Sequence, residues 1–246
     1  MTTTNAKEEE QSMGRFNGAT LFEALSGRLI VSCQALPEEP LHSPFIMGRM
    51  ARAAALGGAA GIRANSVADI REIKREVTLP IIGIIKQVYD GSDVFITPTA
   101  KEVEALFQEG VDVIALDATD RIRPDGTTIE QAFPALRRAF GEQLFMADCA
   151  TFEEAARAAE LGFDCVATTL SGYTAATRGR ALPDLEMAER LVKTVRVPVI
   201  AEGGISTPEE LKALFGAGVH AAVVGSAITR PLEITRRFVR ATRAFD

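Results

Sequence analysis

Hydrophobic and polar positions fall into blocks of two kinds along the chain. Short, almost uninterrupted apolar runs recur at 29–33, 59–62, 81–85, 111–116, 144–147, 164–167, 198–201 and 221–224. Runs of this length without polar alternation suit strands buried on both faces, as in a parallel sheet. Longer amphipathic segments with helix punctuation lie between them. Thr151 precedes an acidic first turn, Glu153-Glu154, and Gly162 closes that segment. Thr207-Pro208-Glu209-Glu210 opens another, with proline at the first helical position. Segments 99–110 and 66–77 behave likewise.

The pattern predicts eight strand–helix units of about 26 residues each, the spacing of a closed (β/α)8 barrel. Internal echoes support a repeated architecture. Glycines that close helical segments recur at Gly58, Gly110, Gly162 and Gly218. The run Leu79-Pro80-Ile81-Ile82 also returns as Val197-Pro198-Val199-Ile200. An open doubly wound sheet is the rival, but five or six strands would suit it better. The first unit also lacks the G-x-G-x-x-G expected to open its helix. The expected fold is therefore a single α/β domain, a (β/α)8 TIM barrel over residues 15–246. Residues 1–14, rich in Thr and Glu, read as a disordered polar leader.

Composition narrows the function. The chain has 246 residues and a net charge of −6, which argues against a nucleic-acid partner, since such proteins carry a basic face. No apolar run approaches the roughly 20 residues of a membrane helix, and the N-terminal stretch lacks the apolar core of a secretory signal. The three cysteines are widely spaced and only two histidines, His42 and His220, are present. A zinc site or disulfide framework is therefore not expected, and a cytoplasmic location is. Neither a metal nor an organic cofactor is anticipated.

In a barrel of this kind chemistry gathers at the C-terminal ends of the strands. The residues just past the apolar runs are Gln34, Arg63, Lys86, Asp117, Asp148, Thr168-Thr169, Glu202 and Gly225-Ser226. Lys86 caps a wholly apolar strand, where desolvation would favour a neutral amine able to accept a proton or form a Schiff base. Glu202 could exchange protons with a substrate oxygen, or simply pair with Arg63. Arg63 could face an anionic oxygen or sit in a buried ion pair. Asp117 reads as structural or hydroxyl-binding. Gly203-Gly204 and Gly225-Ser226 give the last two units small loops of the type that holds a phosphate on backbone N–H groups. Arg230 would add a charged clamp. The expected ligand is a small phosphorylated metabolite. The expected chemistry is proton transfer beside a carbonyl, Schiff-base lyase or aldolase chemistry through Lys86, or sugar-phosphate binding without turnover.

Several segments carry a family resemblance: GRLIVSCQ (27–34), GIRA (61–64), PIIGIIK (80–86), DVIALDAT (112–119), MADC (146–149), TTLSGYT (168–174), VIAEG (199–203) and VGSAIT (224–229), followed by Arg230. Through them the chain resembles the N-acetylmannosamine-6-phosphate 2-epimerases (N-acylglucosamine-6-phosphate 2-epimerases) of sialic acid degradation. The resemblance implies a cofactor-free isomerase that interconverts N-acetylmannosamine 6-phosphate and N-acetylglucosamine 6-phosphate at C2. It implies Lys86 as the residue that moves the C2 proton and Glu202 as its partner at the O1 end. It implies substrate contacts from Gln34, Arg63, Asp148 and Thr169, and a phosphate end built from Gly203, Gly204, Gly225, Ser226 and Arg230. It also implies a homodimer. Ala150 departs from the family pattern, in which Ser is frequent, and residues 175–181 follow no usable pattern.

Overall fold

The computed structural model describes residues 18–242; the proposed leader, residues 1–14, lies outside them. The elements run α1 (Gly18–Leu25), β1 (Arg28–Cys33), α2 (Pro44–Leu56), β2 (Gly61–Asn65), α3 (Val67–Glu76), β3 (Ile81–Ile84), α4 (Ala100–Glu109), β4 (Val113–Asp117), α5 (Ile129–Phe140), β5 (Leu144–Asp148), α6 (Phe152–Leu161), β6 (Cys165–Ala167), α7 (Leu185–Thr194), β7 (Val199–Glu202), α8 (Pro208–Gly216), β8 (Ala221–Val224) and α9 (Pro231–Thr242). The eight strands pair in sequence order, all parallel, and β8 returns to β1, closing the barrel. This is the predicted (β/α)8 fold.

The helix signals in the sequence are physically realised. Thr99, Thr151 and Thr207 each form a reciprocal capping box, with Glu102, Glu154 and Glu210 respectively. These boxes satisfy N–H groups that the first helical turn would otherwise leave without partners. Gly110 and Gly162 end α4 and α6 in left-handed geometry. Helix α1 was not foreseen. It buries Leu21 and Leu25 with the inward-facing residues of the strands, and its Phe22 carbonyl lies 2.7 Å from Nε2 of His220.

The strand ends differ from the apolar runs in a consistent way. Arg63 lies within β2, while Asp117, Asp148 and Glu202 are the last residues of β4, β5 and β7. A hydrophobicity scan stops at a charge, whereas the ladder continues: Asp117 pairs with Asp148, and Glu202 with Val223. Two apolar layers follow from the period-two alternation of the strands. Ile30, Ile82, Val113, Met146, Cys165 and Ile200 fill the barrel. Val31, Ile62, Ile81, Ile114, Phe145 and Val166 face the helices. Counting on by twos from the inner set puts Ser32, Gln34, Lys86, Asp148, Thr169 and Glu202 in the same inward phase, at the mouth of the barrel.

Candidate active site

One cavity of about 220 Å³ occupies that mouth. Gln34, Arg63, Lys86, Thr169, Glu202, Gly203, Gly204, Gly225, Ser226 and Arg230 line it. Thus residues from seven of the eight sequence positions singled out past the strands, and Arg230 beyond them, meet at one place or directly beneath it. Asp117 does not: it accepts bonds from Thr119 and pairs with Arg121, and its backbone carbonyl takes Nη1 of Arg123. These contacts are all with its own chain, as a structural role requires.

The centre of the site is a buried charge network. Arg63, 1% exposed, forms a bidentate pair with Asp148, with Nη1–Oδ1 3.1 Å and Nη2–Oδ2 2.6 Å. The same Nη1 lies 3.1 Å from Oε2 of Glu202. Thr169 donates its hydroxyl to Asp148 at 2.6 Å and lies 3.2 Å from Glu202. Thr168 fixes the other side, accepting from the Glu202 N–H at 3.0 Å. Asp148 itself is completely buried and lies beneath the cavity rather than on its wall. In this structure it holds Arg63 and Thr169, so any influence on a substrate passes through them. Arg63 Nε is buried without a hydrogen-bond partner. Burial works against the Arg63 charge, but Asp148 and Glu202 overcome it and hold the guanidinium protonated, above its ordinary range.

This network sets the two groups with chemical capacity. Burial, reinforced by the positive charge of Arg63 and partly opposed by Glu202, lowers Lys86 from 10.5 to about 8. Burial raises Glu202 from 4.5 to about 7, against the pull of Arg63. Each group therefore changes protonation near neutrality, as proton-transfer residues require. Backbone contacts fix Lys86: its N–H donates to Asn65 Oδ1 at 2.8 Å, and it bridges to Ile96 in the loop that follows β3.

The opposite end of the cavity is built of backbone. Gly204 has φ +72°, and a Cβ there would come within 2.3 Å of the Leu182 Cβ. A Cβ on Gly225 would lie 3.2 Å from that of Ser32. At Gly204 the left-handed backbone and this contact require glycine, whereas at Gly225 a Cβ would only crowd Ser32. Arg230 stands beside them, its guanidinium paired with Glu39 from the loop after β1.

Ser32, Glu39, Phe95, Ile96, Tyr173 and Thr229 also line the cavity and were not picked out from sequence. The parity rule would have found Ser32, which shares the inward phase of Ile30. Its hydroxyl accepts from Gln34 Nε2 at 2.8 Å. The others arrive on loops whose paths no local pattern encodes. Among the described residues, no group of three or more His, Cys, Asp and Glu side chains is arranged to hold a metal ion. His42 and His220 bond backbone carbonyls away from the cavity.

A family model described as "Putative N-acetylmannosamine-6-phosphate epimerase" matches residues 47–244. The chain belongs to this epimerase family. Relatives are similar over almost their full lengths. A "Putative N-acetylmannosamine-6-phosphate 2-epimerase" of Enterobacter sp. (strain 638) is 56% identical over 227 residues, 92% of this chain and 97% of that one. One from Clostridioides difficile (strain 630) is 55% identical over 221 residues, covering 90% and 98%. The solved structure of the N-acetylmannosamine-6-phosphate 2-epimerase from Clostridium perfringens superposes with a TM-score of 0.85 at 55% identity, covering 89% of this chain and 95% of that one. As a member of the epimerase family, the chain is an isomerase built on the barrel described above.

Proposed function

We propose that this chain interconverts N-acetylmannosamine 6-phosphate and N-acetylglucosamine 6-phosphate by removing and returning the proton at C2, as a step in sialic acid degradation. The observation that carries the reading is Lys86, lowered to about 8, in one cavity with Glu202 and a glycine-lined rim. Family membership supplies the substrate class.

The chemistry follows from the layout. The pyranose opens, exposing the C1 aldehyde. The neutral Lys86 amine takes the C2 proton; the C–H electron pair forms the C1–C2 double bond, and the carbonyl pair moves to O1. Arg63 is held positive by its two carboxylates and stabilises the negative charge developing there. Such preorganised electrostatic stabilisation contributes about 3–4 kcal/mol per donor. Glu202, poised near neutrality, serves the O1 end. Glu202, or a substrate hydroxyl acting as a shuttle, delivers a proton to the opposite face of C2 as the O1 electron pair re-forms the carbonyl; Lys86 passes its proton back to that donor through solvent, and ring closure gives the other epimer. Gln34 and Thr169 contact polar groups of the sugar. The backbone of Gly203, Gly204, Gly225 and Ser226, with Arg230, holds the phosphate, anchoring the sugar while C2 reacts.

A homodimer and a cytosolic location belong to the same proposal. Helix α9 buries none of its side chains fully, and leaves Phe238 71% and Val239 43% exposed, a face that a second copy would cover. Cys33, Cys149 and Cys165 are free thiols, as in a reducing compartment. No helix among the described residues is long and apolar enough to cross a membrane.

Proton NMR of N-acetylmannosamine 6-phosphate with the protein in deuterated buffer tests the reaction. The expected result is the glucosamine epimer carrying deuterium at C2, and no borohydride-trapped adduct on Lys86. A folded protein that leaves C2 protonated refutes it. Light scattering at micromolar concentration tests the dimer.

A further inference from the structure

We infer that Glu39 is the positioning residue for the phosphate clamp, a role that rests on the reading of Arg230 given above. Glu39 lies in the loop between β1 and α2 and takes one edge of the Arg230 guanidinium. Its Oε2 accepts from Nε at 3.1 Å, and its Oε1 accepts from Nη2. A guanidinium carries five N–H donors. This arrangement spends two of them and leaves both N–H groups of Nη1 and one of Nη2, the end-on fork, for a phosphate. Both side chains line the cavity, with the Glu39 side chain 10% exposed and that of Arg230 34%.

The loop is constructed to hold this carboxylate still. Glu39 N–H donates to the Leu36 carbonyl at 2.9 Å, and His42 N–H donates to the Glu39 carbonyl at 3.0 Å. Nδ1 of the His42 ring sits 3.0 Å from the Ala35 carbonyl. On the other side, the Thr229 hydroxyl donates to the Ser32 carbonyl at 2.6 Å, fixing the chain beside Arg230 to β1. The ion pair therefore joins two loops that are each anchored to the same strand. A long, one-third exposed arginine would otherwise have many rotamers to lose when the phosphate arrives. Glu39 removes that freedom beforehand, which is how preorganisation raises affinity.

A carboxylate near a phosphate also repels it, so the two effects have opposite signs. In this structure both Glu39 oxygens are committed to Arg230, so the clamp meets the phosphate as an oriented cation rather than as a free acid and a free base. Positioning therefore prevails over repulsion.

The test is Glu39→Gln in the full chain, assayed by epimerisation of N-acetylmannosamine 6-phosphate with inorganic phosphate as competitor. The expected outcome is a KM raised about tenfold, equivalent to about 1.4 kcal/mol. The inhibition constant of inorganic phosphate rises in parallel, kcat stays within about twofold, and Tm is nearly unchanged. Glu38→Gln, which removes the same charge from the exposed neighbour, leaves KM alone. In an Arg230→Met background Glu39→Gln adds no further increase, because the group it positions is gone. A KM that is unchanged or lowered in Glu39→Gln, while Arg230→Met alone raises it, overturns the inference and leaves the phosphate reading standing. If Arg230→Met changes neither KM nor phosphate inhibition, the phosphate reading falls and the inference falls with it. Glu39→Ala, with the same expected KM, serves if the glutamine variant melts early.

Discussion

Replacing Lys86 with methionine should stop the reaction and stabilise the protein, and the second effect can be worked from the structure. Lys86 falls from 10.5 to about 8 on folding, with burial the largest cause. At about 1.4 kcal/mol per pH unit, this corresponds to roughly 3 kcal/mol against the charged amine in the folded state. The sign follows from proton counts. Between pH 8 and 10.5 the unfolded chain binds the lysine proton and the folded chain does not, so wild-type stability rises with pH across that window. Below it the full penalty is present, and above it none remains. The Lys86→Met variant carries no such penalty. It should exceed the wild type at pH 7 by up to about 3 kcal/mol, which for a chain of this size raises Tm by roughly 5–10 °C. The advantage should shrink as pH climbs and vanish near 10.5. Paired thermal melts at several pH values measure it above pH 8, where Glu202, the group whose titration Lys86 also shifts, is already ionised in both proteins. Parallel NMR should show no deuterium entering C2. A variant that melts no later than the wild type at neutral pH, or a Tm difference that ignores pH, would refute the claim that Lys86 is held against its charge.

Three further outcomes concern this network and the rim opposite it. The wild-type kcat/KM should climb with pH to a plateau above about 8 as Lys86 loses its proton; Glu202→Gln should move that limb to lower pH, since the Glu202 carboxylate raises Lys86, and a limb that stays in place or moves upward would contradict the assignment. Asp148→Asn leaves the buried Arg63 with Glu202 as its remaining carboxylate partner and should cost about 3 kcal/mol, seen as a fall in the urea midpoint; a loss under about 1 kcal/mol would show that the Arg63–Asp148 pair does not hold the network together. Gly204→Ala, at φ +72° with Leu182 2.3 Å from the added carbon, should cost about 2 kcal/mol or more from left-handed strain and overpacking and should raise KM for the sugar phosphate; a neutral result would remove the close rim from the account.

The sequence was most informative where a residue's role depends only on its place in a repeating pattern. Eight apolar runs, threonine–glutamate capping boxes and closing glycines are local features. The barrel follows from them because a parallel sheet needs a crossover helix after every strand. Lys86 and Glu202 could be read for the same reason: a polar residue in the inward phase at the end of a buried strand reaches the barrel mouth unless local side chains claim it, as Thr119 and Arg121 claim Asp117. Period-two parity would have gone further, assigning Ser32 to the interior.

Tertiary structure alone decided the partnerships. Nothing near position 63 fixes that its guanidinium will pair through both Nη atoms with Asp148, 85 residues later, and reach Glu202 as well. Of the two readings of Arg63, the fold shows the buried ion pair, and it sets that guanidinium on the cavity wall. From sequence Asp148 reads as a catalytic group, a sugar-hydroxyl contact or a partner of Arg63, and the fold shows the pairing, buried beneath the cavity wall. Glu39 and Arg230 stand 191 residues apart and meet only because β1 and β8 close the barrel. The pKa values of Lys86 and Glu202 belong to this second category as well. Local pattern selects an element and a face. Dielectric environment and charge neighbours are set by what the closed barrel brings within a few ångströms.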